Sequence, residues 1–190
     1  MSESEYLEEG KLNFTYSPSD PYPSHGGTTL GNGVGPSRQN ASSGRKDQLI
    51  FEKEINDPLI LLGPLSATLW VTSSAKCTDF IVGIQDIFPD GKIINIQEGG
   101  ARVNIDTSDP LKVEISVWAT GYQLNPGHKL KVFIASSWFP RFNRSLNTCD
   151  PAFTATEFRD AFQTVYYGRK TPSCINLPVY KISKELLDNF

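Results

Sequence analysis

Histidine and cysteine, which supply most protein bases, nucleophiles and transition-metal ligands, are scarce in this sequence of 190 residues: there are two of the first and three of the second. Cys77, Cys149 and Cys174 have no C-x-x-C spacing and cannot all pair. They are therefore expected to be free thiols in a reducing compartment, and neither a disulfide framework nor a zinc site. Positive charge is also in short supply, with 18 Lys plus Arg against 21 Asp plus Glu and a net charge of −3. With no basic patch to displace counterions from phosphates, nucleic acid is excluded as a partner. No apolar run approaches the ~18 residues of a membrane span. The start, Met1-Ser2-Glu3-Ser4-Glu5, is acidic and lacks the cationic and apolar regions of a secretory signal, so a soluble, cytoplasmic chain is expected. No G-x-S-x-G nucleophile elbow occurs, nor a βα alternation to hold one. The glycines between Gly26 and Gly35 do not form a phosphate-binding G-x-x-x-x-G-K-[ST] loop.

What the sequence does contain is apolar residues in period two. With 38% hydrophobic residues the chain can build one core and bury about 70% of its unfolded surface. Leu65, Ala67, Leu69 and Val71 alternate with Ser66, Thr68, Trp70 and Thr72. Leu111, Val113, Ile115 and Val117 alternate with Lys112, Glu114, Ser116 and Trp118. Each pattern describes a strand with one buried face. Further strands are expected at 48–53, 80–87, 92–96, 101–105, 129–135, 164–167 and 175–181. Pro89-Asp90-Gly91 and Asn125-Pro126-Gly127 punctuate them as turns, Pro presetting φ and Gly accepting a positive one. One modest helix is expected at 156–162. Many short strands with so little helix predict an all-β sandwich. Residues 1–48 differ in kind: Pro18, Pro21 and Pro23 lead into a glycine-rich stretch with few apolar side chains, which reads as an extended arm.

Candidate chemistry is sparse. His25 sits in the glycine-rich arm, where a loop would hold a base poorly, and His128 follows a Pro-Gly turn, where a structural hydrogen bond is expected. Cys77 follows Lys76 but has no identifiable acid-base partner. Asp86 and Asp90 flank a hairpin and fall short of the oxygen ligands that calcium requires. The segment Ser136-Ser137-Trp138-Phe139-Pro140-Arg141-Phe142-Asn143-Arg144 has the composition of an interface hot spot, and equally that of a loop capping the end of the sandwich.

Several pieces in order carry a family resemblance: Leu59-Ile60-Leu61-Leu62-Gly63-Pro64-Leu65, Asp86-Ile87-Phe88-Pro89-Asp90-Gly91, Leu124-Asn125-Pro126-Gly127-His128 and Ser137-Trp138-Phe139-Pro140-Arg141-Phe142. With Phe14-Thr15-Tyr16 and Pro21-Tyr22-Pro23-Ser24-His25-Gly26-Gly27 near the start, the chain resembles the C-terminal non-catalytic domain of the X-prolyl dipeptidyl-peptidase and cocaine-esterase group of α/β serine hydrolases. The resemblance implies a jelly-roll β-sandwich of the galactose-binding-domain type over residues 49–190, preceded by an extended N-terminal arm over 1–48. It implies Ser-His-Asp acyl transfer in the parent enzyme, none of which maps onto residues of this chain, and no cofactor or metal. The partner it implies is an α/β-hydrolase catalytic domain, in the same chain or another, with self-association as a further expectation. Inter-domain contact is expected at Tyr16, Tyr22, Pro23, His25, Trp138, Phe139 and Arg141. The alternative is an independent carbohydrate- or ligand-binding module, for which Trp70 and Trp118, on the polar registers of their strands, would have to form an exposed platform.

Overall fold

Two antiparallel sheets make up the molecule in the computed structural model, which describes residues 8–27, 34–39, 44–151 and 153–180. Met1-Ser2-Glu3-Ser4-Glu5, part of the glycine-rich stretch and the last ten residues of the expected sandwich lie outside the described residues. The strands are β1 (Gly10–Tyr16), β2 (Arg38–Gln39), β3 (Gln48–Glu54), β4 (Leu59–Ser73), β5 (Cys77–Ile87), β6 (Ile93–Asn104), β7 (Leu111–Leu124), β8 (Lys129–Ala135), β9 (Ala161–Tyr167), β10 (Cys174–Asn176) and β11 (Val179–Tyr180). One sheet runs β2-β6-β5-β8-β3. The other is organised on β4, with β7 along one edge and β9, β10 and β11 sharing the other, β1 lying outside β9.

The period-two residues behave as the pleat requires. Leu65, Ala67, Leu69 and Val71 of β4 and Val113, Ile115 and Val117 of β7 are buried in one core with Phe80, Val82 and Ile84 of β5 and Val132 and Ile134 of β8. Full burial of a side chain such as Phe80 contributes roughly 1.5–3 kcal/mol. The two expected turns form: Gly91 and Gly127 adopt φ of 82° and 84°, which a side chain would oppose.

The second sheet is covered on its outer face as well. Ile81, Phe133 and Ala135 point away from the main core and pack with Tyr22 and Trp138 in a separate cluster. A Cβ on Gly83 would stand 2.1 Å from the Phe133 ring, so glycine is what lets that ring lie flat on the sheet. Of the residues 1–48 read as an arm, Gly10–Tyr16 is a full sheet strand, paired with β9 from Gly10↔Tyr167 to Tyr16↔Ala161.

The helix expected at 156–162 is absent. Residues 156–160 are irregular and exposed, and Ala161 already begins β9. A helix there would have no apolar face to bury. Its backbone is recruited elsewhere, Arg159 N–H donating to Leu146 O at 3.2 Å.

Candidate functional site

The arm and the 136–144 loop, more than a hundred residues apart, meet on the outer face of the second sheet. Pro23 bridges Phe139, Ser24 N–H donates to Phe139 O at 2.6 Å, and Phe139 N–H donates to Tyr22 O at 2.8 Å. Ser137 Oγ accepts from Tyr22 N–H, and Ser24 Oγ accepts from Arg141 N–H. Beneath these bonds the Tyr22, Phe133 and Trp138 rings pack edge-on and tilted, with centroids 4.8–5.4 Å apart. Arg45, pinned by Asp47 and Asp20, lies over the outer side of Tyr22, and its hydrogen bond to Asp47 holds the guanidinium above its ordinary pKa.

The seven residues expected at an inter-domain contact thus divide by burial. Tyr16, Tyr22 and Trp138 are buried in this chain's own structure. Tyr16 donates to Ser145 O at 2.9 Å, and burial, reinforced by Asp79, pushes its hydroxyl above the usual phenol range. Pro23, His25 and Phe139 are exposed, and Arg141 is half-buried, reaching Glu98 at 3.4 Å and lying over Phe142. They form a rim beside the buried Tyr22 and Trp138. Glu98 also stands against Gly27, whose φ of 83° closes the arm onto the sheet.

His128 heads no nucleophile-base-acid arrangement among the described residues. His128 Nδ1 lies 2.9 and 3.0 Å from the two Asp86 oxygens, with the Phe88 ring at 4.4 Å, and no described residue hydrogen-bonds its other ring nitrogen. Asp86 also accepts from Tyr122 Oη at 2.9 Å; burial and that carboxylate raise the Tyr122 hydroxyl above its ordinary pKa. His128 fixes the turn, since its carbonyl accepts from Ile55 N–H and the Ile55 carbonyl accepts from Gly127 N–H. Among the described residues no three His, Cys, Asp or Glu are grouped to hold a metal ion.

The cysteine reading is corrected. Cys77 and Cys149, separated by 72 residues, form a disulfide, and Cys174 is the free thiol. Spacing could not show this, because the pairing depends on how the 144–150 loop returns to the start of β5. Asn147 brings it there: its Oδ1 accepts from Thr78 Oγ1 at 2.8 Å and its Nδ2 donates to Arg159 O at 2.7 Å. The disulfide walls a cavity of about 210 Å³ that is also lined by Arg102, Asn104, Arg144, Ser145 and Leu146. Arg102 pairs with Asp79 at 2.8 and 2.9 Å, yet burial holds the Asp79 carboxyl above its ordinary pKa against that pull.

Trp70 and Trp118 are far apart along the β4–β7 pair: Trp70 faces Lys112, whereas Trp118 lies at a bulge where β7 places Val117 and Trp118 opposite Leu65 alone. Trp70 is half-buried, with no hydrogen-bond partner for its indole N–H among the described residues, and Trp118 is 59% exposed at φ 64°. The bulge had a signal in the sequence. Inward residues of β7 are odd-numbered up to Val117 and even-numbered at Tyr122 and Leu124, a change of parity that an inserted residue explains.

The fold is an all-β sandwich of two sheets, with the arm covering part of the outer face of the second. The profile of the X-Pro dipeptidyl-peptidase C-terminal non-catalytic domain matches residues 15–176, and the chain belongs to that family. It is 36% identical over 183 residues to the cocaine esterase of Rhodococcus sp. (strain MB1 Bresler), an alignment covering 88% of this chain and 32% of the esterase. Among solved structures it is similar to an aminopeptidase from a marine sediment Thaumarchaeota archaeon (TM-score 0.80, 21% identity, 92% of this chain and 34% of that one). It is also similar to an α-amino acid ester hydrolase (TM-score 0.77, 23% identity, 90% and 33%). At those identities the structures show the fold alone. The chain spans about a third of the length of each of these relatives.

Proposed function

We propose that this chain docks on an α/β-hydrolase catalytic domain and helps to shape it, the parent reaction being acyl transfer from a peptide, ester or amide. The observation that carries this reading is the fraction covered: a non-catalytic family domain that accounts for about a third of hydrolases leaves a catalytic portion for it to adjoin. The exposed rim of Pro23, His25, Phe139 and Arg141 supplies the contact, with buried Tyr22 and Trp138 beside it. We propose a cytoplasmic location, against which the Cys77–Cys149 pair pulls toward an oxidising compartment. The thiol count of protein taken from cells decides between them.

The test has two arms. The isolated chain is assayed with chromogenic acyl esters, X-Pro anilides and a fluorophosphonate probe, and all three are expected to be silent. A chimera in which the chain replaces the matched third of the Rhodococcus cocaine esterase is expected to melt as one unit and to keep esterase turnover. Stoichiometric labelling of one serine in the isolated chain, or two independent melts in an active chimera, defeats the proposal.

A further inference from the structure

Two described residues other than glycine have positive φ, Asn147 at 59° and Trp118 at 64°. Asn147 is explained: asparagine tolerates that conformation, and its side chain makes two buried hydrogen bonds there. Trp118 is not. It sits in the bulge, and a bulky aromatic in left-handed backbone is a genuine outlier. Its indole stacks on no described ring, its N–H meets no described acceptor, and most of its surface is in water. Folding of this domain gives no reason for a tryptophan here, and strain of this kind persists where function requires it.

We infer that Trp118 is the anchor by which this domain holds the hydrolase domain, at the far end of a contact that begins at Phe139 and Arg141. The inference rests on the docking reading. β6 lies between the two ends: Arg141 reaches Glu98 on its outer face, and the adjacent Gln97, on the opposite face, donates from Nε2 to Ala119 O at 2.9 Å beside Trp118. Gly99 allows this, because a Cβ there would stand 2.1 Å from Ser116 O and push β6 away from β7. Surface chemistry selects the occupant. Ala119 pairs with exposed Pro64, and Leu62, on the same face, is 54% exposed. An exposed indole with further exposed apolar surface at Pro64 and Leu62 suits an apolar protein pocket, since interface cores are enriched in aromatics and depleted in charge. The two thirds of the hydrolase relatives that this chain does not match supply that pocket.

Hydroxyl-radical footprinting of the isolated chain and of the cocaine-esterase chimera tests this. Oxidation of Trp118 and Phe139 is expected to fall several-fold in the chimera. Trp118→Asn, which suits the backbone, is expected to keep the isolated chain's melt within about 3 °C, while splitting the chimera's single melt in two. If the chimera does not fold, the same footprint is taken with the esterase's other two thirds co-expressed. Protection of Phe139 with Trp118 still fully reactive overturns the anchor and leaves docking intact. No protection of either overturns docking itself. A large fall in the isolated variant's melt makes Trp118 a packing residue, and protection of Trp118 by cello-oligosaccharide with none in the chimera makes it a sugar platform; either result overturns the inference.

Discussion

Thr78 and Asn147, 69 residues apart in sequence, are joined by a buried hydrogen bond of 2.8 Å that ties the 144–150 loop to the start of β5. Thr78 Oγ1 also accepts from Gln163 Nε2, which donates to Ser136 Oγ as well, so one hydroxyl links loop, sheet and β9. Asn147→Ala removes both side-chain bonds and replaces a residue that tolerates left-handed backbone with one that resists it, and is expected to destabilise by about 3 kcal/mol. Asn147→Gly keeps the backbone conformation and is expected to lose less. Urea titration of the three proteins ranks them, and equal losses would show that the backbone conformation at 147 is not under strain.

The disulfide closes a span of 72 residues. Loop-closure entropy of that size is worth about 4 kcal/mol, so Cys149→Ser is expected to lower the melt by roughly 8–16 °C. Thiol titration of the unfolded, unreduced chain should find Cys174 alone, and all three cysteines after reduction. Three thiols before reduction would remove the bridge from the account.

Lys131 is buried on the outer face of the second sheet, cross-strand from Gln85 and Glu52, and burial holds its ammonium below the ordinary 10.5. The unfolded chain then binds the proton more tightly than the folded one, and stability must rise with pH from the folded value towards 10.5. The phenols of buried Tyr16 and half-buried Tyr122, raised above 10.0, work in the opposite direction only beyond that pH. Lys131→Met is therefore expected to be more stable than the parent by about 1 kcal/mol at pH 7 and to show a flatter rise on the alkaline side. Chemical melts across that range check the slope, and identical slopes would mean that Lys131 keeps its ordinary proton affinity.

Trp138 and Phe139 are neighbours in sequence with opposite environments, one buried against Tyr22 and Phe133, the other 42% exposed at the rim. Trp138→Ala is expected to cost roughly 3–5 kcal/mol of stability. Phe139→Ala should cost little in the isolated chain and about 2 kcal/mol in docking. Thermal melts and co-purification with the catalytic portion separate these effects. A large stability loss for Phe139→Ala would place its ring in the core.

Alternation in β4 and β7 specifies the sandwich from residues alone, because a strand with one wet face has to repeat every two positions. The turns at Gly91 and Gly127 were legible for an equally local reason, the backbone angles that only certain residues accept. By contrast, Ile81, Gln85 and Phe133 lie on a second buried face, and nothing local tells a strand that an arm 60 residues earlier will cover it. The same limit left Trp138 readable as either cap or contact, since an aromatic buried by its own chain and one buried by a partner have the same composition. Cys77 and Cys149 pair, and residues 156–160 stay irregular, because the loop around Asn147 folds back on β5. Period and turn chemistry belong to neighbouring residues and are written in the sequence; the cover of a face and the partner of a thiol depend on which distant segments arrive, and only the tertiary structure decided those.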